Sequence, residues 1–316
     1  MIDVWEDWAV LPAHGAANPG RYAITGGDCA IGTKIYAVGG FDQTLAMTQW
    51  NDIYDSDTDT WSSGAVYPLG SSPFGVVDAG GGVIGGKLYV VGGVIFDPGS
   101  QVTAKGEVYD PGADSWTAIA NATAARSEHG AAVHGGYLYV IGGVNTIGVR
   151  QSTLYRYDPG ADSWATLTSM SVALRRCNAA TIGDYIYVAG GNDSSGNDVA
   201  TLYRYDINAD SWSTMTSMPA ARAGNATAAI NGKLYVAGGS NASPSVASNY
   251  EYDPGTDTWA TKTAPSVGRV RGAWGVIGGQ YLHWIGGFRA TNDFRDEHQR
   301  YVVFDLAGWT ITGQIV

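Results

Sequence analysis

The chain has 316 residues, 45% of them hydrophobic and 15% charged, with a net charge of −11. That is enough apolar material for one large all-β domain or two ordinary ones, and the acidic balance argues against a nucleic-acid partner, which needs a basic face. No apolar run approaches the ~20 residues of a membrane helix, and Asp3, Glu6 and Asp7 stand where a secretory leader would be basic and then apolar. Cys29 and Cys177 match no metal or redox spacing and read as small buried hydrophobes.

The predicted elements begin with segment 1–12. Trp5, Trp8, Leu11 and Pro12 repeat the spacing of Trp212, Met215, Met218 and Pro219, so this run reads as an outermost strand detached from its own unit. Six units follow, over residues 20–68, 74–122, 126–171, 175–219, 222–265 and 269–316. Each centres on a Gly-Gly doublet, at Gly39-Gly40, Gly92-Gly93, Gly142-Gly143, Gly190-Gly191, Gly238-Gly239 and Gly286-Gly287, spaced 53, 50, 48, 48 and 48 residues apart. In the first five units a Tyr-Asp pair and then a Trp come later: Tyr54/Trp61, Tyr109/Trp116, Tyr157/Trp164, Tyr205/Trp212 and Tyr252/Trp259. The sixth is worn, with Phe304-Asp305 and Trp309 in their place. In unit four the runs NAATIG, DYIYVAGG, ATLYRYD and SWSTMTSM alternate with turn signals, which predicts four short strands.

A four-stranded unit with one apolar face cannot stand alone. Radial packing buries those faces on one another and leaves short edges, whereas a linear solenoid would need capping repeats. The expected fold is all-β: a six-bladed β-propeller of four-stranded antiparallel blades, closed by Trp5–Leu11 joining the last blade, with Trp309–Val316 as the competing closure. The order Arg, apolar strand, Tyr-Val-Gly-Gly, long loop, Tyr-Asp, turn, Trp resembles the kelch repeat over essentially the whole chain. In the turn DPGADSW, Asp110 is expected to bond its own turn, Pro111 to preset φ and Gly112 to take the left-handed conformation, while Trp116 covers the seam with the next blade. The Asp-x-Asp-x-Asp of residues 55–59 lacks the Gly and distal Glu of a calcium loop, so no metal is expected there.

The kelch resemblance implies that the loop leading into each innermost strand and the loop after each doublet share one face, the mouth. On that rule Arg126, Arg175, Arg222 and Arg269 take equivalent leading positions. Arg176 and Arg271 stand beside two of them, with Arg21, Arg289 and Arg295 close by. Underneath, the five Asp-rich turns hold eleven aspartates. The mouth is therefore expected to be positive, suited to gripping a carboxylate, although a leading Arg can equally hold blades in register. His129, Asn178 and Asn225 are expected to point toward the channel. Of only five glutamates, Glu128 and Glu297 reach the mouth, each followed by a histidine, His129 and His298. These two pairs are the candidates for acid–base work. The loops Phe41–Trp50 and Phe288–Arg300 are expected to meet at the seam of blades six and one, bringing Trp50, Phe294, Arg295, Arg269, Arg271 and Trp274 to one site.

Fold leaves function open. The first reading is a non-catalytic binding module whose mouth takes an acidic carbohydrate or an acidic peptide loop, without cofactor or metal and without membrane insertion. Kelch-type substrate adaptors use mouth arginines in this way, although a ubiquitin-ligase adaptor role is not the expectation here. The second is a sugar epimerase or mutarotase, since N-acetylneuraminate epimerase is similar in fold; that likeness implies roles for Glu128, His129 and the leading arginines. The third is a structural disc within a larger surface, filament or virion assembly. An extracellular or cell-surface setting fits these readings better than a cytoplasmic one.

Overall fold

The computed structural model describes residues 3–12, 14, 21, 24–68, 75–96, 99–240, 245–290 and 293–303. Most of their strands fall into six four-stranded antiparallel sheets. Blade three shows the pattern. Gly130–His134, Tyr137–Ile141, Leu154–Asp158 and Ser163–Leu167 pair in that order from the axis outward. The second strand, YLYVI, is buried at four of its five positions because it is covered on both faces. The third buries three of its five residues and half-buries the other two, and the fourth has none fully buried. Each of the six principal apolar clusters straddles two neighbouring blades. Leu138 and Val140 of blade three, for example, pack with Tyr89 and Val91 of blade two. The core lies in the seams.

Two devices tie the seams. The second glycine of every doublet donates its N–H to the carbonyl of the next blade's leading residue, as in Gly143 to Leu174 at 2.7 Å and Gly287 to Arg21 at 2.7 Å, the latter bringing blade six to blade one. At Gly142 and Gly143 φ is +67° and +91°, and an added Cβ would stand 2.6 Å from the Leu174 carbonyl oxygen or 2.5 Å from that of Ser127. Only glycine fits there.

The second device is the Asp-Trp turn. Asp162 Oδ1 accepts the Tyr157 hydroxyl at 2.6 Å and the Ala120 amide at 2.7 Å, and Trp164 Nε1 donates to the Ala120 carbonyl at 2.8 Å. The same three bonds recur at Asp59, Asp114, Asp210 and Asp257. The Tyr157 hydroxyl and the Ala120 amide hold the Asp162 carboxyl below its ordinary value. Two expectations are corrected here. The left-handed residue of the turn is Asp114 (φ 45°), not Gly112, because the aspartate must curl back under the tyrosine hydroxyl. The tryptophan covers the seam with the preceding blade, since Ala65, which Trp116 bonds, belongs to blade one.

Blade six takes its outermost strand from the N-terminus. Asp3–Trp8 pairs antiparallel with His298–Val303, in the order Asp3–Trp8, His298–Val303, Tyr281–Ile285, Ala273–Ile277. Trp5 packs on Tyr301 with ring centroids 5.1 Å apart and donates to the Thr263 carbonyl at 2.9 Å, repeating the seam tryptophans. Phe304-Asp305 and Trp309–Val316 lie outside the described residues.

Candidate ligand-binding site at the mouth

The leading arginines serve the frame. Arg126 is 1% exposed; its guanidinium donates to the Gly142 carbonyl at 3.1 Å and Thr153 Oγ1 at 2.8 Å, and lies 4.1 Å from the Tyr155 ring centroid. Arg269, also buried, donates to the Glu297 carbonyl at 2.7 Å and Gln299 Oε1 at 3.1 Å. Arg222 donates to the Ala221 carbonyl, Ser248 Oγ and the Tyr250 hydroxyl. Arg21 meets a carboxylate, Asp52, at 2.6 Å, inside the protein. Each satisfies loop carbonyls that would otherwise be buried without donors. These side chains stand behind the mouth surface, so a ligand would meet other groups first.

Arg175 is not their equivalent. Leu174 accepts the glycine N–H that Arg126 and Arg222 accept in their own blades, so Arg175 is one residue further along and faces outward. The next position is the distinctive one. Asp78, Glu128, Arg176, Gly224 and Arg271 occupy it in blades two to six, all with φ between 51° and 64°. Their backbones form a relay: Glu128 N–H to Asp78 O, Arg176 to Glu128, Gly224 to Arg176 and Arg271 to Gly224, at 2.7–3.0 Å. Four of these five left-handed residues carry charge, a conformation that costs a non-glycine residue about 1 kcal/mol or more.

Their side chains meet. Arg176 Nε donates to Glu128 Oε1 at 2.9 Å, Arg175 Nη1 to Oε2 at 3.3 Å, and Arg271 stands 3.7 Å from Oε1. Arg271 also pairs with Asp78 through Nε at 2.9 Å and a second contact through Nη2. Burial alone would raise the Glu128 carboxyl; Arg176, Arg271 and Arg175 together bring it below the ordinary carboxylate range. Burial pushes Asp78 up in spite of Arg271. Glu128 is 9% exposed, whereas Arg175 and Arg176 are 31% and 32% exposed. Arg150, which shares Asn192 Oδ1 with Arg175, adds a fourth guanidinium to the rim.

The candidate acid–base pairs do not assemble. Glu128 is engaged by arginines, while His129, 4% exposed, has neither ring nitrogen hydrogen-bonded among the described residues. Burial, with Arg126 beside it, lowers His129 to about 3. Glu297 pairs with Arg295, whereas His298 turns inward, its Nε2 2.8 Å from His283 Nδ1. Asn178 lines the mouth pocket and donates to the Asn225 carbonyl. Asn225 is buried, accepting from Thr227 and donating to the Ala189 carbonyl.

The site expected at the seam of blades six and one is dispersed. Trp50 stacks on His14 at 4.0 Å over Arg21, and Trp274 is buried along the axis. Phe41 and Met47 pack toward Val77, Val94 and Phe96 of blade two, and the Phe294 side chain lies outside the described residues. Sequence reasoning missed Asp78, which blade two hides by having Val76 where blades one, three, five and six have arginine; its alignment with Glu128 was the available signal.

A KLHDC2/KLHL20/DRC7 Kelch-repeats domain model matches residues 4–180, more than half of the chain. The chain belongs to the kelch-repeat family. Kelch motifs match the following stretch at 173–219 and 221–263. Among curated proteins, an F-box/kelch-repeat protein of Arabidopsis thaliana is 30% identical over 89 residues, which is 28% of this chain and 21% of that protein's length. The solved structure of YjhT superposes with a TM-score of 0.77 at 19% identity, over 91% of this chain and 95% of that one, and establishes the kelch β-propeller fold. No helix among the described residues is long and apolar enough to cross a membrane.

Proposed function

We propose that this kelch propeller is a non-catalytic interaction module that takes an acidic peptide segment or an acidic carbohydrate on Arg175 and Arg176 at its mouth. The observation that carries the reading is the convergence of three guanidiniums on Glu128, with two of them still about one-third exposed. Glu128 occupies the place a ligand carboxylate would take, and the rim arginines have donors left over. Kelch repeats generally mediate protein–protein contacts, which supports a peptide ligand. The epimerase reading would have to use Glu128 and His129, which make no bond to each other.

The test is fluorescence anisotropy with a labelled acidic peptide, a neutral peptide of the same length and a uronic-acid oligosaccharide as competitor. The acidic peptide should bind the wild type with an affinity that falls as salt rises. Arg175→Ala/Arg176→Ala should weaken it roughly tenfold or more, given about 1.5 kcal/mol or more per charge-assisted bond. Glu128→Gln, which removes the internal competitor, should tighten it. Equal binding by the neutral peptide, or an unchanged affinity in the double variant, would refute the assignment.

A further inference from the structure

A second cavity, larger than the mouth pocket, opens on the same axis. It lies further along the axis, holds about 350 Å³ and shares no lining residue with the mouth pocket. The innermost strands wall it with small residues, among them Gly81, Gly82, Ala132 and Ala180. Each of the strands Gly80–Ile84, Gly130–His134, Asn178–Ile182, Ala226–Ile230 and Ala273–Ile277 ends its sheet, leaving alternate backbone carbonyls outside the ladder.

One charged side chain faces this space, Asp28. Its Oδ1 accepts the amides of Ala30 at 3.2 Å and Val276 at 3.1 Å, stitching blade one to blade six. No lysine, arginine or histidine lines the cavity. Asp28 is exposed to the cavity, and the protein around it raises its carboxyl to about 6, opposed by those two amides. At neutral pH it is a carboxylate with no cationic side chain beside it among the lining residues. The stitching does not explain the charge, because an asparagine oxygen could accept both amides. What the charge adds is affinity for a cation. The volume is that of a small organic ligand rather than a bare metal ion, and an ammonium group has three donors to share between Asp28 and strand carbonyls.

We propose that the axial cavity binds a small primary aliphatic amine, its ammonium paired with Asp28. Thermal melts test this with butylamine as the probe, butanol and butyrate as neutral and anionic counterparts, and potassium chloride as the inorganic cation. Wild type should gain several degrees of Tm with butylamine, and with none of the other three. Asp28→Asn should keep the amide stitching and lose the shift. Ala180→Leu should lose it by filling the cavity while leaving Asp28 in place, and it decides the matter if Asp28→Asn does not fold. No butylamine shift in the wild type, an equal shift with potassium chloride, or a shift retained in the variants would each overturn the proposal.

Discussion

Lowering the pH from 7.5 to 5.0 should destabilise this protein through its buried histidines. His129 and His283 are 4% and 0% exposed, and burial drives both to about 3, with Arg126 and Arg300 adding to the effect. The unfolded chain takes up these protons near 6.5. Stability is therefore fully present above pH 6.5 and is lost as the pH falls toward 3, at about 1.4 kcal/mol per unit for each group. At pH 5.0 that is about 2 kcal/mol each, or about 4 kcal/mol together. His298, held well below its ordinary value by burial and by His283, adds to the loss. Asp28 opposes it in part: the folded carboxyl, near 6, protonates before the unfolded one, a contribution in the stabilising direction that solvent screening keeps small. The net expectation is a loss of about 3 kcal/mol or more, against a typical total of ~5–15 kcal/mol. Urea unfolding of wild type and His129→Gln at both pH values isolates one histidine. The variant's pH-dependence should be smaller by about 2 kcal/mol, whatever its absolute stability. An identical pH-dependence in the two proteins would show that His129 is not held neutral by burial, and the reasoning would fail.

Two structural predictions follow from the seams. Gly142→Ala places a Cβ 2.6 Å from the Leu174 carbonyl, whereas Gly136→Ala, also at positive φ, meets nothing within 4 Å. Both pay about 1–2 kcal/mol for the left-handed conformation, but only Gly142→Ala should also open a seam, so its Tm should be clearly lower; equal melting temperatures would sink the seam argument. Deleting residues 1–8 removes the outer strand of blade six and uncovers Tyr301 and Trp284. The truncated protein should bind a hydrophobic dye and lose cooperativity in urea, and a peptide spanning residues 1–12 added in trans should restore both.

The fold was legible because its signals are local and repeated. A Gly-Gly doublet every 48–53 residues and a Tyr–Asp–Trp turn in each of the first five units report local backbone demands that recur along the chain. The mouth was legible only in part, since its chemistry is made between blades. Arg175 sits one residue beyond its apparent match, and a spacing of ten or eleven residues from the preceding Trp cannot reveal that shift; the glycine N–H bonded to Leu174 does. Likewise Asp78 and Arg271 are 193 positions apart in sequence and meet only through the packing of the blades. The leading arginines look alike in sequence whether they face a ligand or a carbonyl, and burial decides that.

The pairing of Asp3–Trp8 with His298–Val303 also sets a clock for biosynthesis. Asp3–Trp8 leaves the ribosome without its partner strand, which follows only some 290 residues later. At ~5–20 residues per second that wait is roughly 15–60 s. Throughout it Trp5 and Trp8 remain uncovered, and every finished blade stands in an open array with one raw seam at each end. The interval in which this propeller can aggregate or recruit a chaperone is thus written into which blade its N-terminus belongs to.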